Sequence, residues 1–324
     1  MTDRAAEGAD PGIRRRFAPS LVYQAARLYY LDNATQAEIA HQIGTSRATV
    51  SRLLTEARET GIVEVKVRNP QERAVIELEH DLREALGLEA AYVAPGSPGT
   101  ALGTLLAPGV ARALTASRLR PGDSLLISTG ATVFAVAQQN LPSLPGVVLC
   151  PMVGGVEEPE AHYQSNEITR ALASRVGAIP VLLHAPAMPT PSLHKALLSD
   201  PHVQRVEQLW QSARAALLGI GAAPLHRTSL PSVIAAQEAT LEDAVGDICA
   251  RPYRSDGTPI VSPGFERLIA VPLHDLRRIP HTIGVAIGEE KADSILVAVH
   301  AGYVNTLVTD SPTAELLLRT AAVR

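Results

Sequence analysis

The chain has 324 residues, 46% of them hydrophobic and 19% charged, a balance that excludes a disordered polymer and suggests about two folded domains. The net charge of −4 is unevenly spread: from Arg14 to Arg68 nine basic side chains oppose five acidic ones, a net +4, which leaves −8 for the rest. A basic head on an acidic body suits one domain that meets phosphates and another that does not.

Residues 1–12 are small and polar and are expected to be a disordered tail. No secretory signal is expected, because the first residues lack its apolar core. No apolar run reaches the roughly 20 residues that cross a bilayer. Cys150 and Cys249 have no CxxC partner, so no metal or redox motif is present, and both are expected as buried free thiols in a reducing cytoplasm.

Helices are predicted from Leu21 to Leu31 and across residues 34–54, closing a compact helical domain at 13–68. The β-like run Ile62–Val67 reads as part of a wing. Asn69-Pro70 is a break, and Gln71–Leu86 reads as a helix with Val75, Leu78, Leu82 and Leu86 on one face. That spacing fits either a short dimer seam or a helix packed on its own domain, so 69–87 is taken as a linker or oligomerisation helix. From Leu88 onward, to Arg324, short apolar runs alternate with helical patterns. Strands are predicted at Ala90–Val93, Ser124–Ile127, Val147–Leu149, Pro180–Leu183, Ala215–Ile220, Leu268–Val271, Thr282–Ile287 and Thr306–Val308. Helices are predicted at Pro108–Ala116, Thr132–Asn140, Asn166–Val176, Pro191–Ser199 and Ala292–Ala301. The expected fold is therefore α/β: an N-terminal helix-turn-helix, winged-helix-like domain, then a Rossmann-like parallel sheet covered on both faces. Ligands in such sheets bind at the carboxyl ends of the strands.

The sharpest motif is the run from Ala34 to Leu54. Thr35 followed three residues later by Glu38 makes a capping box. Ile39, Ala40 and Ile43 give that helix an apolar face, Gly44 supplies a turn, and Thr45 or Ser46 caps a second helix with Val50, Leu53 and Leu54 inward. Its early outward positions, Ser46, Arg47, Thr49 and Arg52, together with Thr45, are the candidate DNA contacts, since arginine reads guanine with two hydrogen bonds and hydroxyls reach bases or phosphates. Gln36 opens the first helix, where phosphate contacts are common.

Two further segments read as strand, turn and helix. Gly122–Val136 contains Ser128-Thr129-Gly130, hydroxyls and backbone amides at a helix start, which suits an anion but also serves plain capping. In Ile287–Val299, Lys291 stands near a helix start, where the macrodipole disfavours a cation unless an anion is bound or Glu289 or Glu290 pairs with it.

With these pieces in order, the whole chain resembles the SorC family of sugar-binding transcriptional regulators. The matching pieces include Ala26-Arg-Leu-Tyr-Tyr, Thr45–Leu54, Ser128-Thr-Gly-Ala-Thr, Pro151-Met-Val-Gly-Gly and Asn166. Ala185-Pro-Ala, Gly219-Ile-Gly, Ala244-Val-Gly-Asp-Ile and Thr309-Asp-Ser-Pro-Thr-Ala complete them. The resemblance implies an effector domain shaped like a sugar-phosphate isomerase but acting as a sensor. It places the ligand phosphate at Ser128, Thr129, Gly130 and Thr132, helped by Lys291, and the sugar near Gly154, Gly155, Asn166 and Asp247. The chain departs where many relatives carry tryptophan before the loop glycine and this one has Thr129. The expected partners are operator DNA and a small phosphorylated sugar, with a homodimer or homotetramer as the working assembly, no membrane and no cofactor beyond the effector. The rival readings are an isomerase or hydrolase using Asp247, His184 or His194 as a base, which no tight constellation marks, and a DNA-binding protein whose large domain only oligomerises.

Overall fold

The computed structural model describes residues 16–65, 70–96, 99–224, 241–261 and 263–322. The chain divides into two compact units, Met1–Asn69 and Pro70–Arg324.

The first unit holds α1 (Pro19–Tyr30), α2 (Gln36–Gln42) and α3 (Arg47–Glu59). Pro19 opens α1 in the first turn, where its missing N–H has no intrahelical acceptor to lose. Val22, Ala25, Ile39, Val50, Leu53 and Ala57 close the core between the helices. Glu56 is buried although charged: its carboxylate accepts from the backbone N–H of Arg16 (3.1 and 3.2 Å) and of Phe17 (3.3 Å). It therefore counts as an inward clamp rather than as surface charge against DNA. The expected wing does not form over Ile62–Val65, which contains no strand; Val63 instead donates its N–H to Ala57 O (2.9 Å) and packs on the helical core. Val67, the basic residues Arg14, Arg15, Lys66 and Arg68, and the 1–12 tail lie outside the described residues.

The second unit opens with α4 (Pro70–Leu86), β1 (Ala90–Ala94), α5 (Leu102–Ala116), β2 (Ser124–Ile127), α6 (Ala131–Ala137) and β3 (Val148–Pro151). There follow α7 (Ser165–Val176), β4 (Ile179–Pro180), α8 (Pro191–Leu197), α9 (Pro201–Gln211) and β5 (Ala215–Gly219). A small antiparallel set comes next: β6 (Gly221–Ala222), β7 (Gly246–Ile248) and β8 (Arg251–Tyr253). The unit ends with β9 (His281–Val285), α10 (Ala292–His300), β10 (Thr306–Asp310) and α11 (Ser311–Ala321).

The large sheet has seven strands in the order β1-β10-β9-β5-β2-β3-β4, with every pairing parallel. Helices cover both faces, so its central strands are mostly apolar and buried, as the fully buried Ser124-Leu-Leu-Ile of β2 shows. One face packs Leu126, Ala216 and Leu307 into a core with Leu82 and Leu317; the other packs Leu125, Leu217 and Val308 with Val110 and Leu172. Strand order reverses between β2 and β5: the chain runs outward from β2 through β3 and β4, then returns to lay β5 on the other side of β2. A crevice opens outside the carboxyl ends at such a reversal.

Several expectations change, among them the strand predicted at Pro180–Leu183, which shrinks to Ile179–Pro180. Leu268–Val271 is not a strand: it makes one isolated antiparallel bridge, Ala270 to Val153, and the Arg251 guanidinium donates to Leu268 O (3.2 Å), Ala270 O (2.8 Å) and Val271 O (3.0 Å). The α5 helix begins six residues before Pro108, which sits inside it. Helices α9 and α11 went unpredicted, although Asp200 and Asp310 cap them with proline in the first turn. The apolar face of α4 packs inside its own unit: Leu82 and Leu86 join the core with Leu317 of α11, and Val75 and Leu78 pack against it. Val75 and Leu78 remain half-buried.

Candidate DNA-reading helix and ligand crevice

The capping box at α2 is complete. Thr35 N–H donates to Glu38 Oε2 (2.8 Å) and Glu38 N–H donates to Thr35 Oγ1 (3.3 Å). These bonds from the Thr35 backbone and hydroxyl hold the Glu38 carboxyl below its ordinary pKa. Gly44 takes φ +68° in the turn, a conformation that costs other residues a clash. Ser46 then caps α3, its Oγ accepting from Thr49 N–H (3.2 Å) and sharing a hydrogen bond with Thr49 Oγ1 (2.9 Å).

The inward face of α3 is Val50, Leu53, Leu54 and Ala57; Arg47, Ala48, Ser51, Arg52 and Thr55 stand exposed on the other. Neither the Arg47 nor the Arg52 guanidinium has a hydrogen-bonding partner among the described residues. Of the remaining expected contacts, Ser46 is exposed, while Gln36, Thr45 and Thr49 are half-buried. Ser51 was missed; the helical period that selected Arg47 and Arg52 places it on the same face.

In the second unit, the first candidate loop follows β2, at the carboxyl edge of the sheet where strand order reverses. Gly130 has φ +121° and ψ 152°, donates its N–H to His162 O (2.8 Å) and accepts from Phe134 N–H (2.9 Å) as α6 begins. Thr129 and Gly130 are half-exposed, whereas Thr132 lies on the buried side of α6. Ser128, also expected at the ligand, is buried and bonded to backbone: its Oγ donates to Thr129 O (3.1 Å) and accepts from Gly219 N–H (2.9 Å). It braces the end of β2 against the end of β5, at the point where strand order reverses.

The other candidate segments follow β5 and β9, at the same edge of the sheet. Directly after β5, Gly221 of β6 pairs with the buried Asp247 of β7. Gly246 beside it approaches the Ser294 side chain and the Tyr253 hydroxyl too closely for a Cβ, so the hairpin rests on the first turn of α10. The Asp247 charge adds to burial in raising the pKa of Cys249. After β9, Gly288 turns at φ +115°, and Glu289–Lys291 form one 3-10 turn leading into α10. Lys291 is half-exposed there, and its carbonyl accepts from Ser294 Oγ (2.9 Å). Gly288 N–H donates to Thr313 Oγ1 (3.0 Å), a contact the sequence did not announce.

Gly154, Gly155 and Asn166 take part in a backbone lattice at the exits of β3 and β4. A Cβ on Gly154 would meet Ala185 O at 2.7 Å and Ala187 N at 2.8 Å. Gly155 N–H donates to Ala185 O (2.8 Å), and Ala187 N–H to Gly155 O (2.7 Å). The Asn166 amide donates to Leu183 O and accepts from Leu183 N–H, both at 3.0 Å. His184 is exposed with its ring stacked on His202, 5.6 Å between centroids. Among the described residues, no helix is long and apolar enough to cross a membrane.

A family model described as "Putative sugar-binding domain" matches residues 71–319, and a Crp-like helix-turn-helix domain matches residues 15–84. The chain is 34% identical over 309 residues to the sorbitol operon regulator of Klebsiella pneumoniae, covering 92% of this chain and 98% of that protein. It is 32% identical over 306 residues to the deoxyribonucleoside regulator of Bacillus subtilis, covering 92% and 97%. The crystal structure of the full-length Klebsiella pneumoniae sorbitol operon regulator superposes with a TM-score of 0.70 at 33% identity, covering 94% of this chain and 100% of that one. These relatives are named as regulators, not as enzymes.

Proposed function

The chain belongs to the SorC family of sugar-binding transcriptional regulators, and on that premise we propose that its larger unit binds a small phosphorylated sugar whose presence changes the affinity of the helix-turn-helix unit for operator DNA. The observation that carries the reading is the pair of glycine-hinged loops at Gly130 and Gly288, each following a parallel strand and entering a helix. The first amides of a helix have no intrahelical acceptor and favour an anion. Lys291, at the start of α10, supplies the cation that a phosphate there would meet. Asp247 follows β5 on the paired β6–β7 segment and is suited to accept from sugar hydroxyls. On the DNA side, the exposed guanidinium groups of Arg47 and Arg52 suit base-edge readout. Reading a palindromic operator requires at least a dimer, in keeping with a homodimer or homotetramer.

The test is a panel of phosphorylated and free sugars against the full chain, read as a melting-temperature shift. A phosphorylated sugar should shift it most, and the hit should change operator affinity about five- to 150-fold, the usual range of coupling. Shifts from free sugars alone would remove the phosphate from this reading. Operator affinity unchanged by every sugar that binds would remove the regulation.

A further inference from the structure

We propose that Thr313 is a positioning residue for the ligand loop: by holding the Gly288 amide, it sets the turn that carries Lys291 and joins that turn mechanically to α11 and α4. The inference rests on the reading of the Gly288–Lys291 loop as part of the effector site.

Gly288 stands at φ +115°, in a region that only glycine enters freely, so nothing intrinsic keeps the loop in this one conformation. Its half-buried N–H needs an acceptor. Thr313 Oγ1 provides it at 3.0 Å. Thr313 itself is buried, and its own backbone N–H is held by the Asp310 cap (3.1 Å), so the acceptor stands on a capped first turn. A valine would fill the same space and accept nothing.

The bond also reaches beyond the loop. Thr313 lies in the first turn of α11, whose Ala314 and Leu317 share one core with Leu82 and Leu86 of α4. That helix is fixed to the sheet by Glu79, whose carboxylate accepts from Val93 N–H (3.0 Å) and from both Arg112 terminal nitrogens (2.6 and 2.9 Å). In sequence, α4 is the segment that leads back to the DNA-binding unit. A shift of the Gly288 turn when an anion engages Lys291 thus acts directly on α11, and through packed side chains on α4. Such a path stands only if coupling is measured along it.

The experiment uses the full chain with inorganic phosphate as the probe, comparing wild type, Thr313→Val, Thr313→Ser and Lys291→Ala. The readouts are phosphate affinity and amide hydrogen exchange. In wild type, phosphate should slow exchange at 288–291 and also in α11 and α4. Thr313→Val should bind about tenfold more weakly and confine any protection to the loop, while Thr313→Ser, which keeps the acceptor, should restore both. Wild-type affinity and undiminished spread in Thr313→Val would overturn the inference alone. Should that variant not fold, wild-type protection that stops at the loop would overturn it equally. No phosphate binding by wild type, or unchanged binding in Lys291→Ala, would overturn the loop's assignment to the effector site and this inference with it.

Discussion

The hydroxyl of Ser128 accepts the backbone N–H of Gly219 at 2.9 Å, joining the carboxyl ends of β2 and β5 where the strand order of the sheet reverses. At that point β2 has ended at Ile127, while Gly219, the last residue of β5, still pairs with Val285 of β9 on its other side. Ser128→Ala leaves the Gly219 amide without its acceptor, and an unpaired, partly buried donor costs about 1–3 kcal/mol. The expected outcome is a lower urea midpoint with an unchanged denaturant slope. A midpoint equal to wild type would mean that water replaces the hydroxyl.

Glu79 does comparable work at the sheet's edge. It caps the Val93 N–H of edge strand β1 and holds Arg112, whose guanidinium also lies over the Tyr92 ring at 4.6 Å. Glu79→Ala should destabilise the second unit by about 1–3 kcal/mol. Glu79→Gln retains an acceptor and should lose less. Chemical denaturation of both variants measures the difference, and equal losses would assign the effect to charge alone.

The α2 capping box should show in a pH series. The Thr35 backbone and hydroxyl bonds lower the folded pKa of Glu38, so its contribution is present above the unfolded value of about 4.3 and is lost as pH falls through the folded one. Glu38→Ala should therefore melt below wild type at neutral pH, with the gap closing on acidification. A gap independent of pH would show that the carboxylate is not the source.

Burial pushes the Cys150 thiol up to about 12 and raises Cys249 as well, there with help from the Asp247 charge. Neither should react with iodoacetamide at pH 8 in the native protein, and both should react in denaturant. Because both folded values are raised, their contribution to stability is complete below the free-thiol value of about 8.5 and is lost as pH rises through the folded values. Fast native labelling would show that one thiol reaches solvent.

On α3, Arg47→Ala should weaken binding to the operator by about 1–3 kcal/mol while leaving non-specific binding nearly unchanged. Gel-shift titrations on operator and scrambled duplexes decide it. Equal losses on both would assign Arg47 to phosphate.

The N-terminal unit was readable because its determinants are local. A capping box spans four residues, a glycine turn one, and the inward face of α3 repeats with the helical period. The alternation of strands and helices was readable for the same reason, and β2, β5, β9 and β10 fall close to where their apolar runs lie. Leu268–Val271 misled because its composition suits a strand, yet three of its carbonyls accept from Arg251, about twenty residues earlier in the chain.

What the amino-acid order determined by itself was therefore the periodic and capped elements and the motifs of the family, all set by neighbours within a turn or two. Only the tertiary structure decided that Ser128 braces β5, that Asn166 is tied to Leu183, and that Thr313 holds Gly288. The reason is physical: a hydroxyl or amide looks the same in sequence whether it faces a ligand or a backbone group. Which it meets depends on chain segments 17 to 91 positions away, brought alongside by the packing of a buried sheet.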